Sequence, residues 1–250
     1  MKPGILFIGD SIFEGISGIN FVRMLKNNFT DFRCVNRGVG GDTLVGISRR
    51  LSRELEAEAD NYNVIVFEAG HNDIIIPTFS PKGNLYKLAQ ARLHIRGSIP
   101  TTDPEWFKVL YRETVKDVRK KTNAILVITT LSCISENLHA EPNKKREIYN
   151  DIIRTIAREE QVLLADIGHE FDNILKQKET NGFYMDNFLE VSLMDPLSAR
   201  DKEGADAVSK KRGTHLTIDG VHMNYEGALV YYEKLKEKIE KALYLYEARV

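Results

Sequence analysis

The sequence predicts an α/β protein built on a parallel sheet, on two observations. Short, continuous apolar runs of strand length alternate with longer stretches whose apolar residues recur at helical spacing. The first three apolar runs each end in a glycine-containing turn with Ser, Asp or Asn, and open parallel sheets bind ligands outside the carboxyl ends of their strands.

The elements follow in order. Ile5 to Ile8 is a buried-strand run, and Phe21, Leu25 and Phe29 give helical spacing over 21–29. Phe32 to Asn36 reads as a second strand, broken at Arg37-Gly38-Val39-Gly40-Gly41. Val45 to Ala59 reads as a helix with Leu51 and Leu55 on one face. Val64 to Phe67 is a third strand ending at Ala69-Gly70, Glu105 to Lys121 a helix, and Ala124 to Thr129 a fourth strand. Lys144 to Glu160 is a helix whose inward stripe is expected at Ile148, Ile152, Ile153 and Ile156. Gln161 to Asp166 is a fifth strand. Tyr225 to Glu247 closes the chain as a helix, with Leu229, Tyr232, Leu235, Ile239 and Leu243 expected inward.

Two stretches break this rhythm, Pro77 to Asp103 and Lys176 to Thr214. Loops of that length are expected to be lids, helical insertions or disorder. The basic run Val208-Ser209-Lys210-Lys211-Arg212-Gly213 is expected to be a solvated loop. Phe183, Tyr184, Met185 and Phe188 have two readings: a lid over an acyl chain, or anchors of the insertion to the core.

Composition excludes several classes. Among 250 residues, 35 Lys+Arg face 36 Asp+Glu, so no basic field points to nucleic acid or an anionic membrane. An apolar content of 42% is too high for a disordered chain. No apolar run approaches the roughly 18 residues of a membrane span. Two cysteines, Cys34 and Cys133, are too few for a disulfide scaffold and are expected as core thiols of a cytoplasmic protein.

Four motifs carry chemistry. Gly9-Asp10-Ser11 ends the first strand and exposes a hydroxyl on a tight turn. Asn36-Arg37-Gly38-Val39-Gly40-Gly41-Asp42-Thr43 ends the second, with glycines that let backbone N–H groups approach a ligand oxygen. Its spacing is not that of a dinucleotide loop. Glu68-Ala69-Gly70-His71-Asn72-Asp73 ends the third strand and offers the Asn72 amide. Asp219 and His222, three apart before the last helix, are spaced for a carboxylate to reach the imidazole Nδ1 and leave Nε2 free to take a proton. Together these groups supply a nucleophile, a base, an orienting acid and oxyanion donors. A Gly-x-Ser-x-Gly elbow is absent around Ser11.

In these four blocks, taken in order over residues 9 to 222, the chain resembles the SGNH/GDSL hydrolase superfamily of esterases, lipases, thioesterases and carbohydrate deacetylases. The resemblance implies a flavodoxin-like three-layer α/β/α sandwich with a central parallel sheet of about five strands. It implies Ser11 as nucleophile, Asp219 and His222 as acid and base, and Ser11, Gly41 and Asn72 as oxyanion donors. His71 departs from the family pattern, which more often has Thr or Gly there, and places a titratable group near the oxyanion donors. The first nine residues are expected to carry no secretion signal, because later cleavage would discard Ser11.

The expectation is one domain over residues 1–250, with insertions near 77–103 and 176–214. Its function would be serine esterase or acylhydrolase action on short-chain, above all acetyl, esters through a covalent acyl-enzyme. The alternatives are a non-catalytic binding module on the same fold and an acylhydrolase of the thioesterase or lysophospholipase type. No cofactor is expected. No metal is expected either, since His215 and His222 are seven apart with no cysteine cluster nearby. The partner would be a small acyl ester, with acetylated carbohydrates left open. The sequence says nothing of oligomeric state.

Overall fold

In the computed structural model, which describes residues 3–249, the strands form an all-parallel sheet in the order β2-β1-β3-β4-β5. They are β1 (Gly4–Gly9), β2 (Arg33–Gly38), β3 (Val64–Phe67), β4 (Ile125–Thr129) and β5 (Leu163–Ala165). β1, β3 and β4 are buried throughout, as parallel strands covered on both faces must be. β2 lies at an edge and tolerates the exposed Arg33 and Arg37. Gly9 pairs with Gly38, Ile8 with Phe67, Phe67 with Ile128 and Thr129 with Ala165. The strands therefore end level, and the loops that follow them open on one edge. The order reverses between β1 and β3, the crevice position in such sheets.

Two helical layers cover the sheet. One comprises α3 (Leu44–Glu58), α6 (Pro104–Lys121) and α7 (Glu141–Glu159); the other comprises α2 (Phe21–Asn28), α8 (Ile167–Leu175) and α11 (Tyr225–Glu247). Short helices α1 (Ser11–Glu14) and α4 (His71–Ile75) start at the ends of β1 and β3. Phe67 of β3 meets Tyr111 of α6 at 5.1 Å, joining sheet to layer, and within the other layer Phe21 of α2 stacks on Tyr231 of α11 at 4.4 Å.

Several expectations change. In α7 the inward stripe is Tyr149, Ile153 and Ile156, while Ile148 is 49% exposed. In α11 the buried stripe includes Ala228, Tyr231, Leu235 and Ile239, one position off the expected Leu229 and Tyr232, because small residues and the Tyr231 ring fit against Phe21. Of the two free thiols, Cys133 is buried but Cys34 only partly. Both insertions are helical. The first holds α5 (Asn84–Ile95); the second holds a π-helical turn (Glu190–Met194), α9 (Asp195–Ser198) and α10 (Lys202–Arg212). The basic run is thus helix rather than loop. Arg212 is buried, with its guanidinium bidentate on Asp195 at 2.7 and 3.0 Å and donating to the Ile218 carbonyl at 2.8 Å. No helix among the described residues is long and apolar enough to cross a membrane.

Buried carboxylates lock the edge loops. Thr43 stands at the N-terminus of α3, but its hydroxyl donates to the Ile99 carbonyl and does not cap the helix. Asp73, at the end of the third motif, takes that place by accepting the Leu44 N–H at 2.9 Å and the Thr101 N–H at 2.6 Å. The loops after β2 and β3 are thereby tied together. Burial pushes the Asp73 carboxyl up to about 7, and the hydrogen bonds from Thr101 and Leu44 oppose that rise. Glu136, in the loop after β4, accepts the N–H groups of His215 (2.6 Å), Leu216 (2.7 Å) and Thr217 (2.8 Å) and the Thr217 hydroxyl (2.8 Å). One side chain so fixes the segment that leads into Asp219.

Asp73→Ala strands two buried N–H donors and should cost about 2–4 kcal/mol, read from urea unfolding. Glu136→Ala strands a whole turn of donors and should cost about 3 kcal/mol or more by the same measurement; a loss under about 1 kcal/mol would contradict the anchoring described.

Candidate active site

Asp10 caps α1 by accepting the Ile12 N–H at 2.9 Å, and Gly15, left-handed at φ 70°, ends the helix after four residues. Ser11 is therefore the first residue of a short helix at the tip of β1. Gly38 must be glycine, since a Cβ there would lie 2.1 Å from the Glu14 nitrogen. That close approach seats the loop after β2 against α1. Arg50 of α3 braces the same corner, bonding Asp42 at 2.7 Å and the Gly9 carbonyl at 2.9 Å.

From the far end of the chain, a turn closed by an antiparallel bridge between Thr217 and Met223 delivers Asp219 and His222. Asp219 is fully buried. Its Oδ1 accepts the N–H groups of Val221 (2.9 Å) and His222 (2.7 Å), and its Oδ2 accepts His222 Nδ1–H at 2.7 Å. With Nδ1 donating, Nε2 is an acceptor, and it lies 3.1 Å from Ser11 Oγ. Burial alone would raise the Asp219 carboxyl, but the facing His222 and the hydrogen bonds outweigh it and hold it below the usual range. Burial alone would lower His222; the adjacent Asp219 carboxylate reverses this and holds the imidazole above an ordinary histidine.

The three expected oxyanion donors converge on the same place, and Ser11, Gly41, Asn72 and His222 line one cavity of about 210 Å³. Gly41 is left-handed at φ 76°. The N–H groups of Ser11 and Gly41 have no hydrogen-bond acceptor among the described residues. Asn72 differs, because its Nδ2 already donates to Asp10 Oδ2 at 3.1 Å and to the Asp42 carbonyl at 2.9 Å. It can serve an incoming oxygen by giving up or sharing one of those bonds.

His71 does not face the cavity. It is buried behind it, with Nδ1 2.8 Å from Glu68 Oε1 and Nε2 3.1 Å from Ser132 Oγ. Burial pushes His71 down and Glu68 and Asp10 up. A neutral His71 then donates from Nδ1 to Glu68 and accepts from the Ser132 hydroxyl. Asp10, Glu68 and His71 bring ligand-type atoms within 4.8 Å of one another. Those atoms already serve Ile12, Asn72, the Asp10 N–H and Ser132, which braces the cluster internally. Sequence reasoning met Glu68 only as the end of the third strand and Arg212 only within a basic run expected to be solvated, and it missed both, with Ser132 and Glu136, as supports, because their partners are set by the fold and not by local spacing.

The four insertion residues Phe183, Tyr184, Met185 and Phe188 divide between the two readings. Met185 and Phe188 line the cavity. Tyr184 anchors instead, its hydroxyl 2.9 Å from that of Thr78, and the Phe183 ring lies 5.0 Å from the Arg212 guanidinium.

Comparison with solved structures finds the same fold. An alpha/beta hydrolase enzyme from the metagenome of Lake Arreo, Spain, is similar at TM-score 0.61 and 18% identity, covering 96% of each chain. An acetylxylan esterase from Geobacillus stearothermophilus is similar at TM-score 0.60 and 18% identity, again over 96% of each chain. Another acetyl xylan esterase gives TM-score 0.61 and 17% identity over 94% of this chain and 98% of that one. No curated protein sequence matches. The model of the GDSL-like lipase/acylhydrolase family matches residues 7–228. With nearly the whole sheet and all four motifs inside that match, the chain belongs to the GDSL-like lipase/acylhydrolase family and is a carboxylic ester hydrolase.

Proposed function

We propose that this hydrolase is a serine esterase that works through a covalent acyl-enzyme. The observation that carries the reading is the unbroken chain from Asp219 Oδ2 through His222 to Ser11 Oγ, with links of 2.7 and 3.1 Å. Ser11 Oγ attacks the ester carbonyl while its proton passes to His222 Nε2. The new O–C bond forms, and the carbonyl electron pair moves to oxygen. The N–H groups of Ser11 and Gly41 stabilise that oxyanion, and Asn72 joins them by yielding a bond to Asp10 or Asp42. The carbonyl then reforms, the alcohol C–O bond breaks, and His222 returns its proton to the departing alcohol. Water, deprotonated by His222, repeats the sequence and releases the acid.

Asp219 keeps its charge throughout. Its role is to hold the tautomer and to stabilise the imidazolium of the transition states. The substrate is a carboxylic ester whose acyl group enters the cavity beside Ser11. Acetyl is among the smallest such groups, and the acetylxylan esterases of similar fold support its acceptance here.

Ser11→Ala should lower kcat for p-nitrophenyl butyrate by roughly 10³ to 10⁶ and abolish fluorophosphonate labelling; equal rates in both proteins would overturn the assignment. The base must be neutral to act, so kcat/KM should fall as pH drops through the His222 pKa. Because that value is raised, the acid limb should lie above the roughly 6.5 of free histidine. Asp219→Asn should move the limb to lower pH and cost about 10⁴ in kcat, both read from pH–rate profiles.

A further inference from the structure

We infer that the cavity beside Ser11 is an acyl pocket for a linear chain of about six to eight carbons, walled jointly by the two insertions; this rests on the serine-esterase reading above. The wall is apolar. Phe79, Tyr86 and Leu93 come from the first insertion, and Met185, Phe188 and Val191 from the second. A site built only for acetyl needs none of them. An apolar cavity of about 150 Å³ takes up benzene, with its six carbons, so a cavity of about 210 Å³ has room for an acyl chain of about six to eight carbons, its carbonyl carbon included.

The wall begins at the oxyanion donors. A Cβ on Gly41 would meet Leu93 at 2.5 Å, so Leu93 packs on that glycine. The acyl carbonyl must sit there, with the departing oxygen turned to His222 Nε2, and the acyl chain therefore runs along Leu93 and its neighbours.

The wall is also built to stay in place. The Tyr86 hydroxyl donates to the Met185 carbonyl, and Lys82 donates to the same carbonyl at 3.4 Å while its ammonium lies 3.8 Å from the centre of the Tyr184 ring. Tyr86 meets Phe79 at 5.2 Å and Phe188 at 5.1 Å. Met185 is left-handed at φ 46° without being glycine, a conformation that persists only where the surroundings impose it. Its N–H donates to the Asp219 carbonyl at 2.9 Å. One residue thus joins the chain-binding wall to the turn that carries the base.

The test is a p-nitrophenyl ester series from acetate to hexadecanoate, with the Ser11→Ala rate subtracted. Each buried methylene should raise kcat/KM by up to about fourfold. Octanoate should therefore exceed acetate by roughly 10² or more, and rates should fall again by dodecanoate as the chain outgrows the cavity. Val191→Trp fills the pocket and should cut the octanoate-to-acetate ratio at least about tenfold, a ratio that partial misfolding leaves unchanged. An acetate optimum in an enzyme that labels with fluorophosphonate overturns the pocket and leaves the esterase reading standing. So does a C2 acyl optimum with rates rising along a series of alkyl acetates, which places the chain on the alcohol side. Absence of Ser11 labelling in the wild type overturns the esterase reading, and the pocket with it.

Discussion

Parallel strands run in one direction, so every strand must deliver its outgoing loop to the same edge of the sheet. The register does this closely here, because the pairings Gly9 with Gly38 and Thr129 with Ala165 leave the strand ends level. Backbone hydrogen bonding thereby collects residues from four distant parts of the chain. Ser11 comes from the β1 end, Gly41 from the β2 end, Asn72 from the β3 end and Glu136 from the loop after β4. The Asp219–His222 turn reaches the site without a strand beneath it, and it needs separate anchors.

Those anchors are carboxylates spent on backbone N–H groups. Asp73, Glu136 and Asp219 are buried and each accepts at least one main-chain donor in a loop, while buried Asp10 does the same at the first turn of α1. A loop cannot pair its own amides as a strand or helix does, so a buried acceptor supplied from elsewhere both satisfies the donors and sets the loop's position. The cost is desolvation, visible in the raised Asp10 and Asp73 carboxyls. Asp219 escapes that rise because a histidine faces it.

Much of this was legible in the residues. Continuous apolar runs placed the strands within a few residues, since burial on both faces removes any need for polar alternation. The motif residues Ser11, Gly41, Asn72, Asp219 and His222 met in space because each followed a strand or preceded the last helix. Helix faces were less legible. Ile148 is as apolar as Ile153, yet tertiary packing chose Tyr149 and left Ile148 in solvent. Arg212 sat in a run of cations and looked solvated, and its partners Asp195 and Glu190 lie 17 and 22 residues away with no periodic link. Glu136 carried no local signal at all, because what it grips is backbone, which has no sequence signature. The commitment of both Asn72 hydrogens could not be read either, since it depends on where Asp10 and the Asp42 carbonyl come to rest.

The hydrogen bond between Ser11 and His222 spans 211 residues, and that span has a temporal meaning. A ribosome makes the nucleophile 211 residues before its base. Until the turn at 217–223 docks onto Glu136 and α11 closes over the sheet, the serine is an ordinary alcohol. Closing so long a loop is among the slower events available to a chain of this size, so reactivity should arrive with the end of folding. A nascent or C-terminally truncated chain would hold most of the core and remain chemically inert, which protects a half-folded hydrolase from acylating itself or its surroundings.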